Sequence, residues 1–226
     1  MNIPSHRWIR HSIVRHLQSV LLCALGFISL SAIAQEATGT KELHWDWHNA
    51  TGLSWQDSIA SSRDLSEADR EKLVDIVASK LRPFNAPWTD EGLEELRRLA
   101  SRASMKQLEL SDVEKDIIVQ GHGTNYGCNL TGNCPLWIFR RSADGYQMIL
   151  HGIAQTFIIQ ETRTNGRHDI VFGMRGSGTL VELKLYRFDG SEYQKSTCYQ
   201  ANRATLDQAG AARDMTDPRI TSCKIE

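Results

Sequence analysis

The sequence predicts an α+β protein that is mainly β, with an N-terminal helical segment packed on an antiparallel β-meander of two four-stranded repeats, arranged as a sandwich or a barrel-like structure. Two observations predict this class. Apolar residues recur at helical spacing within residues 63–103. From about residue 104 onward, short runs of Ile, Val, Phe and Tyr are separated by Gly, Asn and Asp, which is typical of strands. The β-domain is therefore expected to occupy residues 104–226.

The composition is that of a folded globular chain. Its 226 residues are 41% hydrophobic and 23% charged, with five prolines, which excludes disordered and collagen-like classes. Lys and Arg total 26 against 27 Asp and Glu, for a formal net charge of -1. Because there is no basic excess to neutralise a phosphate backbone, nucleic acid is not an expected partner.

Residues 1–34 have the pattern of a signal peptide. Three arginines precede an apolar run at residues 20–30, and an A-x-A cleavage site ends at Ala34. The alternative is an uncleaved membrane anchor, but the 16 residues from Ser19 to Ala34 fall short of the roughly 20 that span a bilayer. We expect a secreted or periplasmic protein with no membrane span after cleavage.

Cleavage after Ala34 would leave four cysteines, an even number in an oxidising compartment. Four cysteines allow three disulfide connectivities, and sequence alone does not decide between them. Proximity favours Cys128 with Cys134, across a turn-rich segment, and Cys198 with Cys223, which would tether the C-terminal tail. A thiolate zinc site is the alternative, although no C-x-x-C spacing is present.

Residues 35–62 are polar, contain three tryptophans and show no sustained period, so they are expected to form an extended arm. Within the arm, His44, Asp46 and His48 alternate with two of the tryptophans. If the arm is extended, these three side chains share one face, where they are candidate ligands for a transition metal. Their Cα atoms would be about 6 to 7 Å apart, wider than usual for one ion, so the alternative is an arm anchored by tryptophan.

Residues 63–103 are expected to form two helices that cover a core. The segment from Ser66 to Asp69 resembles a capping box, with Asp in place of Glu or Gln, and the first helix is expected to stop at Pro83. The second is expected to begin near Thr89. The apolar positions that recur at helical spacing are Leu73, Ile76, Val77 and Leu81 in the first helix and Leu93, Leu96 and Leu99 in the second.

The β-domain aligns with itself as two repeats, at about residues 105–151 and 155–199. Each copy reads strand, short loop, strand, longer loop, strand, Asp-Gly turn, strand. The eight expected strands are Met105 to Leu110, Asp116 to Gly121, Leu136 to Arg141 and Tyr146 to His151, then Gln155 to Glu161, Asp169 to Met174, Leu180 to Phe188 and Glu192 to Tyr199. The first copy differs mainly by a segment at residues 122–135 that carries a cysteine pair.

Each copy has a polar loop between its first two strands, with Asp112 and Asp116 in the first and Asp169 in the second. This layout resembles extracellular repeats of the FG-GAP or VCBS type, and the resemblance implies a calcium site at these three residues. Each loop supplies two or three oxygen-bearing side chains, whereas calcium takes about six to eight oxygens. The alternative is a hairpin loop whose aspartates make turn-type hydrogen bonds.

Two further motifs are GNCPLWIF, from Gly132 to Phe139, and LYRFDGSEY, from Leu185 to Tyr193. Together they resemble a set of secreted bacterial proteins that share this layout over roughly the β-half. The resemblance implies export and a common fold, and it assigns no functional residue.

These observations predict an exported, non-catalytic protein of the bacterial envelope that binds a protein or glycan through residues 122–135. Asn125, Tyr126 and Asn129 are the candidate contact residues, and no cofactor is expected. One alternative is a metal-binding module for calcium or zinc. A second is a hydrolase of unknown substrate, although no G-x-S-x-G motif is present in the sequence.

Overall fold

The structure is a computed structural model that describes residues 57–85, 90–176, 179–202, 204–206, 212–214 and 220–223. The predicted signal peptide lies outside the described residues. So does all of the predicted arm up to residue 56, including His44, Asp46 and His48.

Two helices open the described chain, α1 (Glu67–Asn85) and α2 (Asp90–Arg102). Ser66 caps α1, because its hydroxyl accepts a hydrogen bond from the Asp69 N–H at 3.1 Å and donates one to the Asp69 carboxylate at 2.8 Å. α1 continues past Pro83 rather than stopping there, a difference of the size usual at helix ends.

The helices bury five of the seven apolar positions that their spacing predicts, and a sixth, Ile76, is partly buried against the same core. Leu73, Val77 and Leu81 are buried on α1, and Leu96 and Leu99 are buried on α2. Leu93 is 44% exposed, so its assignment to the apolar face of α2 is wrong. The turn that carries Leu93 lies beside the edge of the buried stripe, where a leucine side chain is tolerated on the surface.

The β-domain contains two antiparallel sheets. The first sheet has the order β1–β2–β3–β4, made of β1 (Ser104–Leu108), β2 (Asp116–Gln120), β3 (Cys134–Ser142) and β4 (Gly145–Ala154). The second sheet has the order β11–β8–β7–β6–β5, made of β5 (Thr156–Thr164), β6 (Arg167–Arg175), β7 (Leu180–Phe188), β8 (Tyr193–Asn202) and β11 (Ile220–Cys223). A small hairpin joins β9 (Ala204–Leu206) to β10 (Ala212–Asp214).

The mainly β, α+β class is confirmed, and each predicted group of four strands forms an antiparallel meander in its own sheet. The arrangement is a pair of packed sheets rather than a closed barrel. The common origin of the two meanders as a sequence repeat stays a prediction. The tail adds a fifth strand to the second sheet, because β11 pairs with β8 and places Cys223 directly opposite Cys198.

The described elements form three layers, in the order helices, first sheet, second sheet. The core between the helices and the first sheet includes Leu73, Leu81, Leu96, Val119 and Trp137. The core between the two sheets includes Leu136, Ile138, Ile170, Phe172 and Tyr186. Alternate residues of β3 thus enter different cores, as the pleat of a strand covered on both faces requires.

The chain passes between the sheets at a corner. Gln155 alone separates β4 from β5, and its N–H donates to the Gly173 carbonyl at 2.9 Å. Close by, Gly152 of β4 lies against Phe172, where a Cβ would come within 2.8 Å of the ring. Only glycine allows the two sheets to approach this closely at this point.

Neither described helix is both long and apolar enough to cross a membrane.

Candidate functional site

The connection between β2 and β3 begins with an anchored turn. A 3-10 helix (Thr124–Tyr126) ends at Gly127, whose φ of 80° is a left-handed conformation that suits glycine. The Tyr126 side chain is buried at 6% exposure, and its hydroxyl donates to the Leu99 carbonyl of α2 at 2.6 Å. Tyr126 therefore fastens this turn to the helical layer. Tyr126 was predicted as a contact residue, and in this structure its ring packs in the core.

The Cys128–Cys134 disulfide closes the next segment, which we call the tip loop. Inside it, the side-chain oxygen of Asn129 accepts hydrogen bonds from the Thr131 N–H at 3.1 Å, the Thr131 hydroxyl at 2.7 Å and the Asn133 N–H at 3.0 Å. The Asn129 N–H in turn donates to the Asn133 carbonyl at 3.0 Å. Asn129 is exposed, as predicted for a contact residue, but its side-chain oxygen is directed into the loop.

The tip loop is also fastened to the second sheet. The Asn133 side-chain amide donates to the Arg175 carbonyl and accepts from the Arg175 N–H, both at 2.7 Å. Asn133 is buried, so this pair of hydrogen bonds is shielded from water. A disulfide, an internal hydrogen-bond network and a docking contact on β6 therefore hold the loop in one conformation.

Leu130 occupies the outermost position of this rigid loop. It is fully exposed, at 102% of the reference area. It is the one apolar residue among the five between the two cysteines. Single exposed apolar residues are common on protein surfaces, but Leu130 lies on a loop held by a disulfide and by hydrogen bonds, and rigidly positioned loops often carry binding residues. Leu130 was not among the predicted contact residues, although an apolar residue in the middle of a polar segment closed by two cysteines could have indicated it.

The β2–β3 connection is itself uncharged, although it docks on the exposed Arg175 of β6. Residues 121–135 contain no Asp, Glu, Lys or Arg, in a chain with 23% charged residues. Burial lowers the pKa of His122, which favours its neutral form. Asn125, the third predicted contact residue, is exposed on the 3-10 helix. Depletion of charge is a property of the central part of protein interfaces.

The three candidate calcium ligands of the β-domain occupy different surroundings. Asp112 is exposed and accepts two hydrogen bonds from Arg163, at 2.7 and 2.8 Å, which lower its pKa. Asp169 is buried and accepts from the hydroxyls of Thr162 at 2.8 Å and Thr164 at 2.7 Å. Among the described residues, no group of three or more His, Cys, Asp or Glu side chains is placed to hold a metal ion.

Asp116 belongs to an inter-sheet charge cluster, which we define as Glu114, Asp116 and Arg167. The Arg167 side chain, on β6, is 6% exposed and donates to the carboxylates of Asp116 and Glu114. Its Cζ also lies 5.0 Å from the centre of the Phe188 ring. The two loops that align in the sequence repeat thus contact each other, with acidic groups of the first facing a basic group of the second.

The Asp116 side chain is fully buried, and only one of its oxygens has a hydrogen-bond partner within the described structure. Desolvation raises the pKa of Asp116 to about 6, against the opposing attraction of Arg167. The cluster therefore joins the two sheets through a buried ion pair. Asp116 was predicted as a candidate calcium ligand, whereas in the structure it pairs with Arg167, a contact that depends on the packing of one sheet on the other.

One Ser–His contact bears on the hydrolase alternative. Ser104 Oγ lies 2.8 Å from His122 Nε2, the spacing of a nucleophile and its base. However, Ser104 is 3% exposed, and its backbone is held between β2 and the Ser58 bridge. A substrate carbonyl has no path to this hydroxyl in the described structure, so the contact is best explained as a buried hydroxyl satisfied by a histidine.

No family model, curated protein or solved structure matches the chain.

Proposed function

We propose that this is an exported, non-catalytic envelope protein that binds a protein partner through the tip loop, with Leu130 entering an apolar pocket on that partner. The observation that carries the proposal is the full exposure of Leu130 at the end of a loop held by a disulfide and by buried hydrogen bonds. Export rests on the signal-peptide pattern of residues 1–34 and fits the presence of two disulfides.

Rigidity supports a binding role because a preformed loop loses little conformational entropy when it docks. The Asn129 and Asn133 side chains form hydrogen bonds inside the loop or with β6, so the part of the loop left for a partner is the leucine and the uncharged residues around it in the chain. Such a surface suits an apolar pocket with a polar border.

A protein partner is favoured over a glycan. Sugar rings are commonly bound on exposed aromatic faces, and the aromatic residue of this connection, Tyr126, is buried against α2. The exposed side chain at the tip is aliphatic instead. The expectation of a protein or glycan partner therefore narrows to a protein.

The test compares two matched variants. Leu130→Asp replaces the tip, and Val113→Asp replaces an equally isolated apolar residue that is 93% exposed in the β1–β2 connection. Each protein is crosslinked in intact cells of a host that exports it, and captured partners are quantified by mass spectrometry. The partner should be lost with Leu130→Asp and retained with Val113→Asp.

A second measurement completes the test. The identified partner, once purified, should bind the wild-type protein at least about tenfold more tightly than the Leu130→Asp variant, a difference of about 1.4 kcal/mol. Equal affinities for the two proteins, or equal capture by all three, would refute the tip-loop function.

A further inference from the structure

Strand β4 forms one edge of the first sheet. Its ten residues, Gly145–Ala154, contain no Asp, Glu, Lys, Arg or Pro. Exposed strand edges are templates for pairing with another chain, and soluble proteins usually protect them with charges, prolines, short length or a covering segment. β4 lacks the first three of these protections.

The other edges in the described part of the two sheets are better protected. The β1 edge is partly covered, because Ser58 bridges Ser104 and the Met105 N–H donates to the Asp57 carbonyl at 3.0 Å. The β5 edge carries Glu161 and Arg163. The β11 edge has only four residues. β4 therefore differs from the other three in being both long and uncharged.

The side of the sheet to which the N–H and C=O groups of β4 point follows from the hydrogen bonds between β2 and β3 and from the pairing of β3 with β4. The Gly121 N–H donates to the Pro135 carbonyl at 3.1 Å, so the backbone of Pro135 faces β2. Ile153 pairs with Pro135, and His151 pairs with Trp137, two residues further along β3. Because backbone direction alternates along a strand, the N–H and C=O groups of His151 and Ile153 point away from β3, to the open side of the sheet.

No backbone hydrogen bond joins this open side of β4 to another element among the described residues. Two of the side chains along it are also exposed. Ile153 is 47% exposed, and His151 is exposed and stacks on Trp137 with ring centres 5.8 Å apart. The edge thus combines outward-facing donors and acceptors with an exposed aliphatic side chain.

We propose that β4 pairs antiparallel with β4 of a second copy of this chain, about a twofold axis at Gly152. In this register, His151 of each copy exchanges backbone hydrogen bonds with Ile153 of the other. The two first sheets then form one continuous sheet. Each exposed Ile153 side chain lies against the His151 ring of the other copy. Both side chains are on the face of the sheet that packs against the helices.

Two features favour a second copy over a different protein. A twofold axis places equivalent residues near each other, so charges on the strand would repel, and β4 itself has none. The charge that acts on His151 belongs to Lys80 of α1, whose long side chain can turn away from the axis. Interfaces between different proteins more often rely on complementary charges for specificity. The second feature is the regularity of β4 near Gly152. The irregularity in β3–β4 pairing lies at Ile138/Phe139, so residues 150–154 pair continuously with β3 and can pair in the same regular way with a second β4.

The first measurement is the molar mass of the purified protein, by sedimentation equilibrium from low to high micromolar concentration. A single short strand pair buries little area, so a weak, concentration-dependent dimer is expected. Amide hydrogen exchange at the same concentrations locates the contact. Exchange at His151 and Ile153 should slow by about tenfold or more as dimer forms, whereas Gly152, whose N–H faces β3, should be protected at every concentration.

Two variants complete the test. Ile153→Pro removes an outward N–H, and Ile153→Lys places a charge on the edge, without removing a bond to β3. Both should be monomeric with the far-UV circular dichroism of the wild type. Leu93→Lys is the matched control, since Leu93 is 44% exposed on α2, and it should remain dimeric. A monomeric wild type, or concentration-independent exchange at His151 and Ile153, would overturn the proposal.

Discussion

The tip loop and the inter-sheet charge cluster differ in which kind of side chain each of them buries. The tip loop is a polar segment that directs its amide groups inward and leaves an aliphatic side chain, Leu130, outside. The cluster takes charged groups from two loops and buries them, with Asp116 fully inaccessible and Arg167 nearly so. Of the two, the burial of charged side chains is the less common arrangement in proteins.

The difference indicates separate roles. Buried charges are tolerated because they are paired, so the cluster acts within the molecule, where it holds one sheet on the other. Leu130 is fully exposed in the described structure, and the role we propose for it is contact with a partner. Changes in the cluster should therefore alter stability, and changes in the tip should alter binding.

The largest expected effect is from Arg167→Met in the cluster. Removal of the guanidinium leaves the carboxylates of Asp116 and Glu114 without their shared partner. The free energy of unfolding should fall by about 3 to 5 kcal/mol, measured by urea denaturation. Arg163→Met is the matched control, because the Arg163–Asp112 pair is solvent-exposed and should contribute less than about 1 kcal/mol. An equal loss of unfolding free energy in both variants would contradict the proposed difference between the buried and the exposed ion pair.

The pH dependence of stability should show the next effect. The pKa of Asp116 is raised from 3.8 to about 6 in the folded state. Between these values the folded protein holds a proton that the unfolded chain has released, so stability should fall as pH rises through this window. The fall should total about 3 kcal/mol, at about 1.4 kcal/mol per pKa unit.

Asp116→Asn isolates this contribution, because the amide does not titrate. Thermal unfolding of the wild type and the variant at a series of pH values gives the difference directly. That difference should change between pH 4 and about 6 and be flat above. A constant difference across the series would show that Asp116 titrates alike in the folded and unfolded chain.

A smaller effect is expected when both tip-loop cysteines are replaced by serine. The Cys128–Cys134 bridge closes a short loop, with a sequence separation of 6, so chain entropy predicts a loss of about 2 kcal/mol. Partner binding should weaken as well, because the loop loses its preformed shape. The Cys198–Cys223 pair is the control: its serine variant should lose about 3 kcal/mol in urea denaturation but keep wild-type binding.

The smallest effect on stability is expected from Leu130→Asp. A fully exposed side chain has no packing to lose, so the free energy of unfolding should change by no more than about 0.5 kcal/mol. The same variant should lose its partner. A destabilisation of about 2 kcal/mol would instead show that Leu130 packs in the folded protein, and the contrast with Arg167 would disappear.

Local patterns in the sequence were enough to predict the two helices and the first eight strands. The eight expected strands match β1–β8 to within a few residues, and the Asp-Gly turns lie where β3 meets β4 and β7 meets β8. The cysteine pairs that proximity favours are the pairs present in the structure. These features depend on residues near one another in the chain, where side-chain period and turn chemistry act directly.

The candidate site was predicted only in part. Residues 122–135 were identified as the distinctive insertion, but Tyr126 was assigned to the surface and Leu130 was overlooked. Exposure depends on which other elements lie above a residue, and α2, which receives the Tyr126 hydroxyl, is distant in the sequence. In the same way, Asp116 and Asp169 carry ligand-type oxygens, but their partners come from other strands.

The sequence by itself determined the class of the fold and the order and approximate length of strands β1–β8, and it favoured the two cysteine pairs that the structure contains, because these follow from the period of apolar residues and from short separations along the chain. Only the tertiary structure decided that the two meanders pack face to face, that Arg167 is buried between Glu114 and Asp116, and that no other described segment covers Leu130 or the edge of β4. Each of these depends on contacts between segments far apart in the chain. Local pattern carries no information about which segment covers another.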